Sequence, residues 1–258
     1  MKRYARLNAL LDEMAEHGHV DVEQMADRLQ VSASTIRRDL AQLTEQQLVT
    51  RTRGGAVAAG VSYDLPMRYK ASKHQPEQLR IGQAAARLVH DGDVVGLTGG
   101  ATTTEVARGL AARGPAGPAG AITVVTNAVN IAGELIVRRN VTLLLLGGLA
   151  KPQSFDLVGP FATEMLGQLD LDVAMIGVDA IDPDAGVKSL DPDGAQVAKL
   201  MAARSRRTVV VSDSSKLHAR ALARICEWSQ VQVLVTDTAA PAADLDRVRA
   251  HGVEVICA

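Results

Sequence analysis

Aromatic side chains are nearly missing from this chain: one Trp, three Tyr and two Phe make up 2% of its 258 residues. Hydrophobic residues still reach 47%, so a sizeable core is available, and Val, Leu, Ile, Ala and Met must fill it. An excess of one charge is missing as well. The formal net charge is −1, so affinity for nucleic acid has to come from a local patch. Only two cysteines occur, Cys226 and Cys257, without CxxC or Cys/His spacing, which argues against a disulfide framework and against a zinc site. The longest apolar run, around Val141–Leu146, falls far short of the ~20 residues that span a bilayer. Lys2 and Arg3 lead into a mixed polar-apolar pattern, not the apolar stretch of a leader peptide. Together these absences point to a soluble cytoplasmic protein with no membrane partner, no cofactor and no metal.

What is present divides into three segments: a small unit over residues 1–57, a linker over 58–76 and a larger unit over 77–258. In the first, Tyr4, Leu7, Leu10, Leu11 and Met14 recur at three- and four-residue spacing, one apolar helix face, and Gly18 ends that helix. Asp21 caps a second helix over Val22–Leu29. Ser32 or Ser34 caps a third, which runs to about Gln46 with Ile36, Leu40 and Leu43 inward. Two helices joined by so short a turn, the second opening with hydroxyls and arginines, have the layout of a DNA-reading helix-turn-helix. Ser32, Ser34, Thr35, Arg37 and Arg38 lie in its first turns. Arg suits bidentate contact with guanine or phosphate, and the hydroxyls reach either. The stretch Leu48–Ala56, β-favouring but broken by Gly54-Gly55, predicts a wing that adds Arg51 and Arg53. Residues 1–56 hold eight basic and eight acidic residues, so the reading rests on placement, not on excess charge. The alternative is an ordinary solvated three-helix bundle.

The linker carries Gly60, Pro66, Pro76 and several lysines without a period. Beyond it a helix is expected over Gln78–His90. Seven apolar runs then follow: Val94–Thr98, Thr123–Thr126, Val141–Leu146, Val173–Gly177, Thr208–Ser212, Val231–Thr236 and Val253–Ile256. Between them the pattern predicts helices over Thr103–Ala112, Ala128–Arg138, Phe161–Leu169, Gln196–Arg204, Ala219–Cys226 and Ala242–Ala250, and a surface loop over Gly114–Gly120. Continuous apolar strands alternating with helices give an α/β fold with a mostly parallel sheet covered on both faces. In such a sheet ligands bind beyond the carboxyl ends of the strands. Those ends read Gly99-Gly100 with Thr102 and Thr103, then Thr126-Asn127, Gly147-Gly148, Gly177 with Asp179, and Asp213 with Lys216. Glycines admit an anion to the backbone, hydroxyls donate to it, and helix N-termini present free N–H groups. With the cation Lys216 and two carboxylates, the set suits a small phosphorylated polyol or sugar. Singly, each element has a plainer reading: a Gly-Gly turn, a helix cap at Thr126-Asn127, an ion pair between Asp213 and Lys216. Their shared edge carries the joint reading.

The small unit resembles the amino-terminal domain of the DeoR family of bacterial transcriptional regulators. The matching residues are Arg6, Leu10, Val31-Ser32, Thr35-Ile36-Arg37-Arg38-Asp39-Leu40, Leu48, Arg51 and Gly54-Gly55-Ala56. Arg53 stands where many members have His, and Gln47 where Gly is frequent. The larger unit resembles the family's sensor domain through Asp91-Gly92-Asp93, Gly99-Gly100 with Thr102-Thr103, Val125-Thr126-Asn127, Leu146-Gly147-Gly148, Val158-Gly159-Pro160, Asp172 with Ile176-Gly177, and Asp213-Ser214-Ser215-Lys216. It departs at Ala101 and at Asp191-Pro192-Asp193-Gly194. The resemblance implies a fold similar to ribose-5-phosphate isomerase. It also implies a phosphorylated sugar effector that changes affinity for operator DNA.

Two functions follow as expectations. One is a repressor of a carbohydrate operon that binds double-stranded operator DNA as a homodimer or homotetramer under control of a phosphorylated sugar. The other is a sugar-phosphate isomerase with an appended helical domain, for which Asp179, Asp213 and Lys216 are acid–base candidates. Fold likeness alone does not confer that chemistry.

Overall fold

The computed structural model describes residues 3–17, 19–45, 49–58, 74–113 and 121–258. The chain divides into two compact units, Met1–Ser72 and Lys73–Ala258. Gly18, Gln46, Leu48, most of the linker with Gly60 and Pro66, and the Gly114–Gly120 loop lie outside the described residues.

In the first unit, α1 (Arg3–His17) is followed by β1 (His19–Asp21), α2 (Val22–Leu29), α3 (Ala33–Glu45), β2 (Val49–Thr52) and β3 (Gly55–Ala58). Asp21 caps α2 by accepting from the Glu23 and Gln24 amides at 2.9 and 3.0 Å. Gln30 ends α2 in the left-handed region at φ 54°, which turns the chain within three residues. Ser32 then caps α3, its hydroxyl accepting from the Thr35 amide at 3.3 Å. Leu10, Leu11, Met25, Ile36, Leu40 and Leu43 form the core. The three strands pair antiparallel in the order β1-β3-β2, a wing with one strand more than the sequence suggests. Gly54 turns the β2–β3 hairpin at φ 95°, and a Cβ on Gly55 would overlap Val20 O on β1. Only glycine fits there, which is the reason for the Gly pair.

The second unit opens with α4 (Gln75–Ala86). Then come β4 (Val94–Leu97), α5 (Ala101–Ala111), β5 (Ile122–Thr126), α6 (Val129–Leu135), β6 (Val141–Leu145), the hairpin β7 (Leu149–Lys151) and β8 (Asp156–Val158), and α7 (Pro160–Gly167). The chain continues through β9 (Leu171–Gly177), β10 (Ala180–Asp182), β11 (Gly186–Ser189), α8 (Pro192–Ala203), β12 (Ser205–Val211), β13 (Ala223–Cys226), β14 (Val233–Thr236), α9 (Ala242–Ala250) and β15 (Glu254–Cys257). Seven strands form one sheet in the order β15-β14-β12-β9-β4-β5-β6, and every neighbouring pair is parallel. The order runs outward in both directions from β4 and β9, so the sheet is doubly wound with its switch point between them. Along β9, Val173 and Met175 join one hydrophobic cluster with α4, α5 and α6, while Ala174 and Ile176 join another with α7, α8 and α9. Both faces are therefore covered, as the unbroken apolar strands predict.

The sequence reading fails in three places, one of them the β10–β11 hairpin, which it gives as no strand at all. Ala219–Cys226 is not a helix: its second half is β13, which pairs antiparallel with β11 in a small sheet with β10. Ala and Leu favour a helix there, but Ile225 and Cys226 are buried against β11 and tertiary pairing overrides a weak local preference. The β7–β8 hairpin is not foreseen either. Its strands are three residues each and mostly half-exposed, so no apolar period marks them.

Candidate functional site

On α3, Ser32, Ser34, Arg37 and Arg38 face solvent, and Ile36, Asp39 and Leu40 face the core. Thr35 is half-buried, and its hydroxyl is hydrogen-bonded to the Ser32 hydroxyl at 2.9 Å. Arg51 and Arg53 are exposed on the wing, and the Arg51 guanidinium reaches Arg37 O at 3.5 Å. One helix edge and one hairpin thus present four guanidinium groups outward. Arg37 also donates to Glu23 on α2 at 2.8 Å, a pair in which both side chains are more than half exposed. Such a pair is worth little, and its cation stays available. Beneath this surface Arg6 donates two hydrogen bonds to the buried Asp39, and Arg3 lies 3.7 Å from the same carboxylate. That network holds α1 against α3 and raises the Arg6 guanidinium above its usual range, chiefly through the Asp39 hydrogen bond.

In the larger unit the proposed ligand residues share the carboxyl edge of the sheet but not a single point. From β6 to β12 is four strand spacings, about 19 Å at ~4.8 Å each, wider than one small phosphoester. The tight group lies at the switch point. The Gly177 amide donates to Thr98 Oγ1 at 2.9 Å, and a Cβ on Gly177 would stand 3.2 Å from Gly99 O. Gly100 precedes α5 at φ 138° with no side-chain cap, so the first-turn amides of that helix take no cap from it. The Thr103 and Thr104 hydroxyls bend back to Gly100 O at 3.1 and 2.7 Å. Thr102 makes no side-chain hydrogen bond among the described residues.

Other positions serve the fold first. Thr126 is fully buried; its hydroxyl donates to Leu97 O at 2.7 Å and accepts from the Ala128 amide at 3.1 Å. Gly148, at φ 143°, passes within reach of β8, where a Cβ would meet Val158 O at 2.6 Å. Gly147 is exposed beside the edge strand. Asp179 accepts from the Ser189 hydroxyl and the Leu190 amide, both at 2.9 Å. Asp213 is buried and caps a short 3-10 turn through Ser215, so it is not spent on an ion pair with Lys216.

One residue that sequence reasoning missed occupies the centre. Asp156 opens β8, and the hairpin lays its carboxylate over Gly99, where a Cβ would overlap Asp156 Oδ1. The hairpin is docked by backbone bonds: the Leu157 amide donates to Asn127 O at 2.7 Å and the Val129 amide to Phe155 O at 2.9 Å. Lys151 ties it to the start of α8 through Asp191 and, at 2.8 Å, Asp193. Burial would lower the Lys151 ammonium, but these two carboxylates outweigh it and hold it above its usual range. Burial pushes the Asp156 carboxyl up to about 6; Ser154 and Lys151 pull against this, while Asp191 and Asp179 add to it. The only sequence signal was adjacency to Val158-Gly159-Pro160. Asp191-Pro192-Asp193-Gly194 finds its explanation here: Asp191 caps α8 and anchors the hairpin at once. Among the described residues no group of three His, Cys, Asp or Glu could hold a metal ion, and no helix is long and apolar enough to cross a membrane.

Comparison with known proteins bears on both units. Residues 6–60 match the DeoR-like helix-turn-helix domain, and residues 73–238 match the DeoR C terminal sensor domain. The HTH-type transcriptional repressor GlcR of Bacillus subtilis (strain 168) is 32% identical over 257 residues, covering 99% of this chain and 96% of the relative. The glycerol-3-phosphate regulon repressor of Escherichia coli (strain K12) is 26% identical over 255 residues, with 99% of each chain covered. Among solved structures, ribose 5-phosphate isomerase A of Methanocaldococcus jannaschii aligns at 20% identity over 56% of this chain and 55% of its own, with a TM-score of 0.42, too weak a likeness to bear on activity.

Proposed function

Since this chain belongs to the DeoR family of DNA-binding transcriptional regulators, we propose that it represses a carbohydrate operon and that a phosphorylated sugar or polyol sets its operator affinity. Arg37 and Arg38, with Ser32, Ser34 and Thr35, meet the major groove, and Arg51 and Arg53 on the wing meet phosphates. Two-fold operators call for a homodimer or homotetramer. The effector's phosphate lies against Gly100, Thr102 and the α5 N-terminus, with Lys216 supplying a cation, while Gly99, under the Asp156 carboxylate, and Gly177 form the floor. Asn127, Asp179 and Asp213 line the edge around it, and Thr103, Thr126, Gly147 and Gly148 shape it. The observation that carries this reading is the crevice at the switch point: uncapped helix amides beside two glycines, where a doubly wound sheet binds its ligand.

The test is operator binding by the full chain with and without a panel of triose, pentose and hexose phosphates. Release or tightening of at least tenfold by one member is expected. If none shifts the binding curve, the sensing half of the reading falls, and the DNA half stands on its own.

A further inference from the structure

Among the described residues, Asn127 Oδ1 after β5 and Asp156 Oδ1 on β8 are buried with no hydrogen-bond partner. The Asn127 amide is oriented by its own donor, since Nδ2 gives to Leu157 O at 3.2 Å and a flip would set two carbonyl oxygens together. The two residues are neighbours, because Ala128 and Asp156 form an antiparallel bridge. Asp156 as a residue is half-buried, but its Oδ1 is shielded where it lies over Gly99. Both orphaned atoms are acceptors. A phosphate group is itself an acceptor and satisfies neither; beside a carboxylate it is repelled. Buried acceptors left unpaired are costly, and what answers them is a donor.

We propose that Asp156, with Asn127 beside it, is the specificity-determining residue of the effector crevice: it accepts a hydroxyl adjoining the phosphate-bearing carbon, and so selects polyol and sugar phosphoesters over phosphoesters without hydroxyls. This rests on the reading of the crevice as the phosphoester site. The selection works in both directions. A hydroxylated ester gives the carboxylate a charge-assisted hydrogen bond. An ester with an alkyl group there leaves both acceptors buried and unpaired, which is the stronger source of discrimination. The charged groups that face Asp156 are Lys151 on its own hairpin, Asp179 after β9 and Asp191 at the start of α8.

The experiment compares binding of glycerol 3-phosphate, ribose 5-phosphate and glucose 6-phosphate with binding of propyl phosphate, by calorimetry on the full chain. The esters share nearly the same phosphate titration, so the ratio of affinities isolates the hydroxyl. At pH 8 at least one hydroxylated ester is expected to bind tenfold or more tighter than propyl phosphate. Asp156→Ala should shrink that ratio to threefold or less, with propyl phosphate bound as well as before or better. In the unaltered chain the ratio should also fall as pH drops through about 6, where the carboxyl takes up its proton. Asp156→Asn, which keeps an acceptor but cannot titrate, should hold an intermediate ratio at all pH values. A cooperative unfolding transition no lower than that of the unaltered chain, with unchanged operator binding, marks both variants as folded, and a role confined to folding would move neither the ratio nor its pH profile. If the esters bind but Asp156→Ala leaves the ratio intact, the proposal is overturned and the phosphoester crevice survives. If no ester binds the unaltered chain, both are overturned.

Discussion

Within the string Thr35-Ile36-Arg37-Arg38-Asp39-Leu40, neighbouring residues have opposite duties. Arg37 and Arg38 face solvent, whereas Asp39 is 1% exposed and bound by Arg6. Removing one partner of a shielded ion pair strands the other, so Asp39→Ala should lower unfolding free energy by about 3 kcal/mol. Arg38→Ala, at the surface, should change stability by less than about 0.5 kcal/mol. Denaturant melts of the two variants would separate the roles. Arg37→Ala should weaken binding to the specific operator by roughly 1–3 kcal/mol if it reads a base. Equal loss on specific and random duplex, with a shallower salt dependence, would reassign it to phosphate. Asp156 adds a stability effect of the opposite kind. Its folded carboxyl titrates at about 6 against an ordinary 3.8, so the folded state binds the proton more tightly. Stability therefore falls as pH rises from about 4 to about 6 and stays lower above that. Asp156→Asn should gain on the order of 3 kcal/mol at pH 7.5 and less than about 1 kcal/mol near pH 4. A gain of equal size at both values would mean that the charge is not its source.

At the scale of elements, α2 does more than support the recognition helix. Glu23 sits in its first turn and holds Arg37 at 2.8 Å. Facing a duplex, that carboxylate both competes for the guanidinium and repels phosphates. Glu23→Gln should tighten operator binding a few-fold, most at low salt where exposed charges are least screened; weaker binding instead would make Glu23 a positioning residue for Arg37. The elements also differ in how plainly the sequence announces them. All seven strands of the parallel sheet are legible, the inner ones because a strand buried on both faces is an unbroken apolar run, as at Val209–Val211 and Val233–Val235. The Asp21 cap and the Gly54-Gly55 turn are legible from local chemistry alone. The β7–β8 hairpin is not, since its order comes from backbone bonds to Asn127 and Val129 and from Lys151 reaching Asp191, contacts made across long sequence separations. Asp156 rides on that hairpin, so the residue over Gly99 stays hidden from a strand-by-strand reading. For the same reason β13 reads as a helix: only pairing with β11 makes Ala223–Cys226 extended.

At the scale of the molecule, each unit has a core of its own. Among the described residues, the cluster built on Leu10, Met25, Ile36 and Leu40 draws none from beyond position 56, and the two clusters that flank the parallel sheet draw none from before position 81. Each unit therefore has the apolar burial to fold as its own cooperative body. Calorimetry should resolve two unfolding transitions with different ligand sensitivities. A phosphoester that binds only the folded larger unit stabilises it by ~2.7 kcal/mol at a concentration one hundred times its Kd, and should move that transition alone. A duplex bearing the operator should move the other. The assignment can be fixed independently, because Asp39→Ala must lower only the transition that responds to duplex. A single transition that shifts with either ligand would show instead that the units melt as one body. The separation of cores would then set no boundary to cooperativity, and effector binding would be felt at the recognition helix through shared stability rather than through a change in how two folded units are arranged.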